Sequence, residues 1–171
     1  MKFRNVFLSF LAGGFLALGG NLIYKARRKK LERARRSRAL MERIVYLCLR
    51  RLADASGHGR VSTSGTFFFI WVVERVARRQ PIEFPAFSFS AHKGRLASSR
   101  LTYILRRMIA DGRLAVDGNY LLPAFQYEPR LPDRSQEDQL LKIRVIIDEV
   151  ADQWDKDAPD DQLVRFGKLF K

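Results

Sequence analysis

The chain has a single cysteine, Cys48, among 171 residues, so no disulfide can close within it, and the usage fits a reducing compartment. Imidazole is almost as scarce: His58 and His92 are the only histidines. Neither falls in a metal-ligand spacing, so no metal site and no cofactor are expected. The glycines of Ser56–Gly65, SGHGRVSTSG, are not followed by Gly-Lys-Ser/Thr, which excludes a P-loop there. His58 lies close to Ser56, Ser62 and Ser64 without the spacing of a nucleophile–base pair, and enzyme chemistry is not expected. No internal repeat is visible.

Acidic charge is also short. The chain holds 32 Lys/Arg against 18 Asp/Glu, a formal net charge of +14. Such a balance points to a polyanionic partner, nucleic acid or anionic lipid. The charge is uneven. Residues 1–132 hold 25 Lys/Arg against 8 Asp/Glu, and residues 133–171 hold 7 against 10, so a basic body carries an acidic tail.

Val6–Tyr24, VFLSFLAGGFLALGGNLIY, is 19 residues without a charge. As a helix it would rise about 28 Å, close to the thickness of a hydrocarbon core. A transmembrane anchor over residues 1–24 is therefore expected. The competing readings are a cleaved signal peptide, with Ala17-Leu18-Gly19 at a cleavage-like spacing, and a buried core helix. The basic stretch that follows, residues 25–38, carries Lys25, Arg27, Arg28, Lys29, Lys30, Arg33, Arg35, Arg36 and Arg38 against one acid, Glu32. Under the positive-inside rule these nine would hold a single-pass protein with its N-terminus outside and its domain cytoplasmic. They would also meet anionic lipid headgroups at the membrane surface. Gly13 and Ala17, with Gly20 nearby, form a small-residue face that would suit a homo-oligomer.

The remainder reads as a domain over 39–132 and an acidic helical tail over 133–171. Leu40, Ile44, Leu47, Cys48 and Leu52 recur at helical spacing over 40–55. On that face Cys48 reads as a packed thiol. Phe67–Val73, FFFIWVV, is apolar throughout and belongs to a helix over 65–79 that ends before Pro81. Phe84, Phe87 and Phe89 alternate with smaller residues, which predicts a short extended segment, and His92–Arg95 predicts a turn. Leu101, Ile104, Leu105, Met108 and Ile109 predict an amphipathic helix over 97–111, capped by Ser98 and closed by Gly112. Asp117-Gly118-Asn119 between Leu114–Val116 and Tyr120–Leu122 predicts a hairpin. Further helices are expected over 135–154 and 160–171. The fold class is thus mainly α with a small β-hairpin: a transmembrane helix, a winged-helix-like domain and C-terminal helices.

The stretch from Gly59-Arg60 to Leu122 resembles the Panacea-type winged-helix proteins, which are phage-associated and antitoxin-related. The matching features are an apolar helix ending in Glu74, then Phe87-Ser88-Phe89, a Lys93-Gly94 turn, a helix, and Asp111-Gly112-Arg113-Leu114 entering the wing. Gly94-Arg95 stands where the family has Gly-Pro. The resemblance implies a winged-helix fold and an antitoxin-related or phage-associated role.

Two function classes follow. In a nucleic-acid-binding module, Lys93, Arg95, Arg100, Arg106, Arg107 and Arg113 would contact phosphates, with Tyr103 beside sugar or base. In a protein-interaction adaptor, the helix over 135–154 would meet a partner. The acidic tail would then mask the basic face or bind elsewhere.

Overall fold

A computed structural model describes residues 3–92, 95–124 and 134–154; for residues 3–23, His92 and Arg95 it describes the backbone alone. The chain divides into two units, Met1–Arg38 and Ala39–Lys171. Helix α1 (Phe3–Ser56) begins in the first and ends in the second.

In the first unit every side chain from Tyr24 to Arg38 is exposed. Arg28 Nε lies 3.1 Å from Glu32 Oε1, one helical turn away. Such a pair adds only a few tenths of a kcal/mol, about 0.2–0.5, to a helix.

No helix among the described residues is long and apolar enough to cross a membrane. This corrects the expected transmembrane helix, the single-pass topology and the outside-to-cytoplasm orientation. The described part of α1 gives the physical reason. Residues 25–38 carry charge all round the helix, and the apolar residues from Leu40 onward are used in the protein's own core. Val6–Ile23, with the small-residue face of Gly13 and Ala17, lies outside the residues whose side chains are described. The membrane-surface assignment of the nine basic residues, Lys25 to Arg38, rested on that anchor and loses its basis with it.

The second unit holds the core. From α1, Leu40, Ile44, Val45, Cys48, Leu49 and Leu52 are buried. Burial pushes the Cys48 thiol well above its ordinary range, which keeps it protonated and unreactive. Strand β1 (Val61–Ser62) leads into helix α2 (Thr63–Ala77), whose N-cap Ser62 accepts a hydrogen bond from the Gly65 N–H at 3.1 Å. The FFFIWVV run is helical. Phe69, Ile70, Val72 and Val73 are fully buried, and Phe68 stacks on Trp71 at 5.7 Å.

The alternating phenylalanines do not form a strand. Phe84, Phe87 and Phe89 pack ring against ring, at 6.1 Å and 6.2 Å, and Phe89 meets Phe67 of α2 edge-on at 6.5 Å. Ring burial, not strand pairing, satisfies the pattern. Side chains hold the backbone there. The Phe87 N–H donates to buried Glu74 at 3.1 Å, and the Ser98 hydroxyl donates to the Phe87 carbonyl. Between them Ser88 takes a left-handed φ of 56°. Strands β2 (Ser90–His92) and β3 (Arg95–Ala97) pair antiparallel where the turn was expected; Lys93 and Gly94 lie outside the described residues.

Helix α3 (Ser99–Ala110) starts at Ser98, which accepts from the Leu101 N–H at 3.1 Å. It buries Leu101, Ile104, Leu105 and Met108. Its end is a Schellman turn. The Arg113 N–H reaches the Met108 carbonyl at 2.9 Å, and the Gly112 N–H reaches Ile109 at 3.0 Å. Gly112 supplies the φ of +69° that this turn needs.

Strands β4 (Leu114–Asp117) and β5 (Tyr120–Pro123) follow at once. Gly118 is the first residue of their two-residue loop and alone has positive φ there, as a type II′ connection requires. The three-stranded sheet runs β1-β5-β4, all antiparallel. Thr63 also donates from its N–H and hydroxyl to the Asn119 carbonyl, both at 2.9 Å, so the start of α2 grips the hairpin turn. Helix α4 (Arg134–Asp152) closes the core with Leu140, Ile143, Ile146, Ile147 and Val150, and Trp154 meets Phe69 edge-on at 4.9 Å. The expected helix over 160–171 lies outside the described residues.

Candidate nucleic-acid interface

The amphipathic period of α3 decides which side chains face outward. With four apolar residues turned into the core, Arg100, Tyr103, Arg106 and Arg107 are left on the exposed side. The helix itself carries no acid; Asp111 is its C-cap.

The arginines then divide by partner. Arg106 makes no ion pair with any described residue. Arg100 is exposed and donates one Nη1 hydrogen bond to the Ala86 carbonyl at 2.7 Å, one of the five donors a guanidinium carries. Tyr103 is 52% exposed between them. Arg107 and Arg113 join Glu42 and Asp111 in a charge network. Glu42 of α1 is buried: its Oε2 accepts a hydrogen bond from Arg113 Nη1 at 3.3 Å, and its Oε1 lies 3.3 Å from Arg107 Nη1 as an ion pair without a hydrogen bond. One oxygen of Asp111, Oδ2, is shared by Arg113 Nη2 and, at 3.8 Å, by Arg107 Nε.

Arg113 is therefore a structural cation. Its side chain is 10% exposed, against 42% for Arg107. Burial by itself lowers the Arg113 guanidinium, but hydrogen bonds to Asp111 and Glu42 outweigh it and raise the group above the ordinary arginine value. Glu42 gives no signal in the sequence, because its partners lie 65 and 71 residues further along the chain.

Of the other expected contacts, Lys93 lies outside the described residues, and Arg95 is described only as a β3 residue opposite His92. A further basic group stands at the sheet: Arg60 sits over the Tyr120 ring at 4.7 Å. Two acids of α4 are engaged elsewhere than at α3, and residues 155–171 of the acidic tail lie outside the described residues. Asp148 and Asp152 pair with Arg51 of α1, at 3.1 Å and 2.7 Å. The helix expected to meet a protein partner is α4, and its exposed apolar residues are Leu141 and Val145.

Comparison with family models, with curated proteins and with solved structures finds no match.

Proposed function

We propose that this chain is a non-enzymatic nucleic-acid-binding protein that grips phosphates with the exposed side of α3, the β4–β5 hairpin standing beside it as a wing. The observation that carries this reading is the outward set Arg100, Tyr103, Arg106 and Arg107 on a helix whose own sequence has no acid. Support also comes from element order. A helix, a short strand, a helix, the β2–β3 pair, a helix and a hairpin follow in turn, and the first strand pairs with the last strand of that hairpin. Apart from the β2–β3 pair, this order is compatible with the winged-helix plan that the Panacea-type resemblance implies. In such a plan the helix before the wing enters the major groove and its side chains meet phosphates and base edges.

Affinity in this reading comes from counterion release. Three phosphate contacts, from Arg100, Arg106 and Arg107, predict about a fortyfold loss of affinity between 50 and 200 mM salt. Titrating the full-length chain with duplex DNA and with RNA at both salt concentrations tests it. No binding to either at the lower salt would sink the proposal.

A further inference from the structure

Residues 25–38 of α1 concentrate charge of one sign on a short length of helix. They carry nine Lys/Arg against one acid, Glu32, which pairs with Arg28. Every side chain in this stretch is exposed, including Leu31, its one large aliphatic residue, at 62%. At helical spacing Lys25, Lys29, Arg33 and Arg36 fall on one side, and Arg27, Arg28, Arg35 and Arg38 fall on the opposite side. No apolar stripe is left between them. The stretch therefore lacks the face that a helix needs to pack on a core or to lie in a membrane interface.

Cations on two opposite sides are complementary to anions on two opposite sides. A flat anionic surface meets only one side of a helix. The major groove of B-DNA has phosphates along both walls, and its width of about 12 Å admits a helix of about 10–12 Å diameter. The lengths agree as well. The stretch rises about 21 Å, and a duplex carries about twelve phosphates over that distance. The major groove of an RNA duplex is deep and narrow and does not admit such a helix.

We infer that residues 25–38 of α1 are a DNA-binding element in their own right, seated in the major groove. Lys29 and Arg33 meet the phosphates of one wall, and Arg27 and Arg35 meet those of the other. The class of partner is the one proposed above, but the element is a separate one. It needs no contact from α3, and its phosphate contacts come in addition to those of Arg100, Arg106 and Arg107.

The test uses the full-length chain with a short DNA duplex, an RNA duplex of the same sequence, and phosphatidylglycerol vesicles. Two double variants each remove two charges from one side of the helix: Lys29→Gln with Arg33→Gln, and Arg27→Gln with Arg35→Gln. Glutamine keeps the helix propensity of the residues it replaces. Each double variant is expected to lower the log–log salt slope of DNA binding by about 1.8, two contacts at about 0.9 each. Lys142→Gln with Arg144→Gln makes the same change of net charge at exposed positions of α4 and is expected to leave the slope unchanged. A slope unchanged in both α1 variants, or lowered as much by the α4 variant, would overturn the element. A fall in only one α1 variant, or an equal fall with the RNA duplex, would overturn its seat in the groove. Vesicle binding that both α1 variants abolish, with DNA binding untouched, would make anionic lipid the partner and overturn the inference. If both α1 variants lower the slope and Arg106→Ala does not, the α1 element stands and the α3 reading falls. The reverse pattern keeps α3 and overturns the α1 element.

Discussion

Glu42→Ala is expected to destabilise the folded state by about 3–5 kcal/mol, the cost of stranding a buried charge. The melting temperature should fall by about 10 °C. Arg113 would lose the carboxylate that lies 3.3 Å away on its buried side, and its guanidinium cannot shed its proton at any ordinary pH. Asp111 would still hold its outer nitrogen, so the loss belongs to the inner contact. Arg107, more exposed, can turn to water and suffers less. The double variant Glu42→Leu, Arg113→Leu should recover much of the loss, because a matched apolar pair avoids the desolvation of both ions. A cycle by urea unfolding reads this directly. Additive losses in the double variant would show that the two side chains do not depend on each other.

Phe87→Ala is expected to cost a similar amount, about 3–5 kcal/mol. The ring is fully buried and touches Phe84 and Phe89. Its backbone N–H and carbonyl are held by Glu74 and Ser98, so the segment cannot readily collapse into the space the ring leaves. Phe87→Leu keeps most of the volume and should cost less than half as much. Ser98 links this loop to α3, since the same hydroxyl donates to Phe87 and caps the helix. Amide hydrogen exchange in Phe87→Ala should therefore speed up at the start of α3 as well as around the loop. Loss confined to the loop, or below about 1 kcal/mol, would mean that the Phe87 ring is not a keystone of the segment between α2 and α3.

What could be read from the sequence is what is local. The apolar period of α3, its Ser98 cap and its Gly112 turn all lie within 16 residues, and Gly118 marks the hairpin by backbone geometry alone. The outward arginines follow from the same period. Contacts between distant residues left no such mark. Nothing near Glu42 shows that Arg107 and Arg113 would neutralise it, so six cations looked equivalent when two belong to a charge network. The phenylalanine alternation is shared by a strand and by a ring cluster, and only the bonds from Glu74 and Ser98 distinguish them. Strand β1 has two residues, too few for a period, yet it ties the hairpin to the helices. The apolar run near the N-terminus suggested a membrane span, which the described helices do not supply. Within their range, apolar side chains of α1 serve a core that hydropathy along the chain does not reveal.

The central claim is that exposed arginines of α3 hold nucleic acid while Arg113 holds the fold. Duplex-DNA affinity and melting temperature, measured side by side for Arg106→Ala and Arg113→Ala in the full-length chain, test it most directly. The account predicts that Arg106→Ala weakens binding, lowers the salt slope by about 0.9 and leaves the melting temperature unchanged. It predicts that Arg113→Ala lowers the melting temperature by about 10 °C. Unchanged affinity and salt slope in Arg106→Ala, or an Arg113→Ala protein as stable as the parent chain, would contradict it.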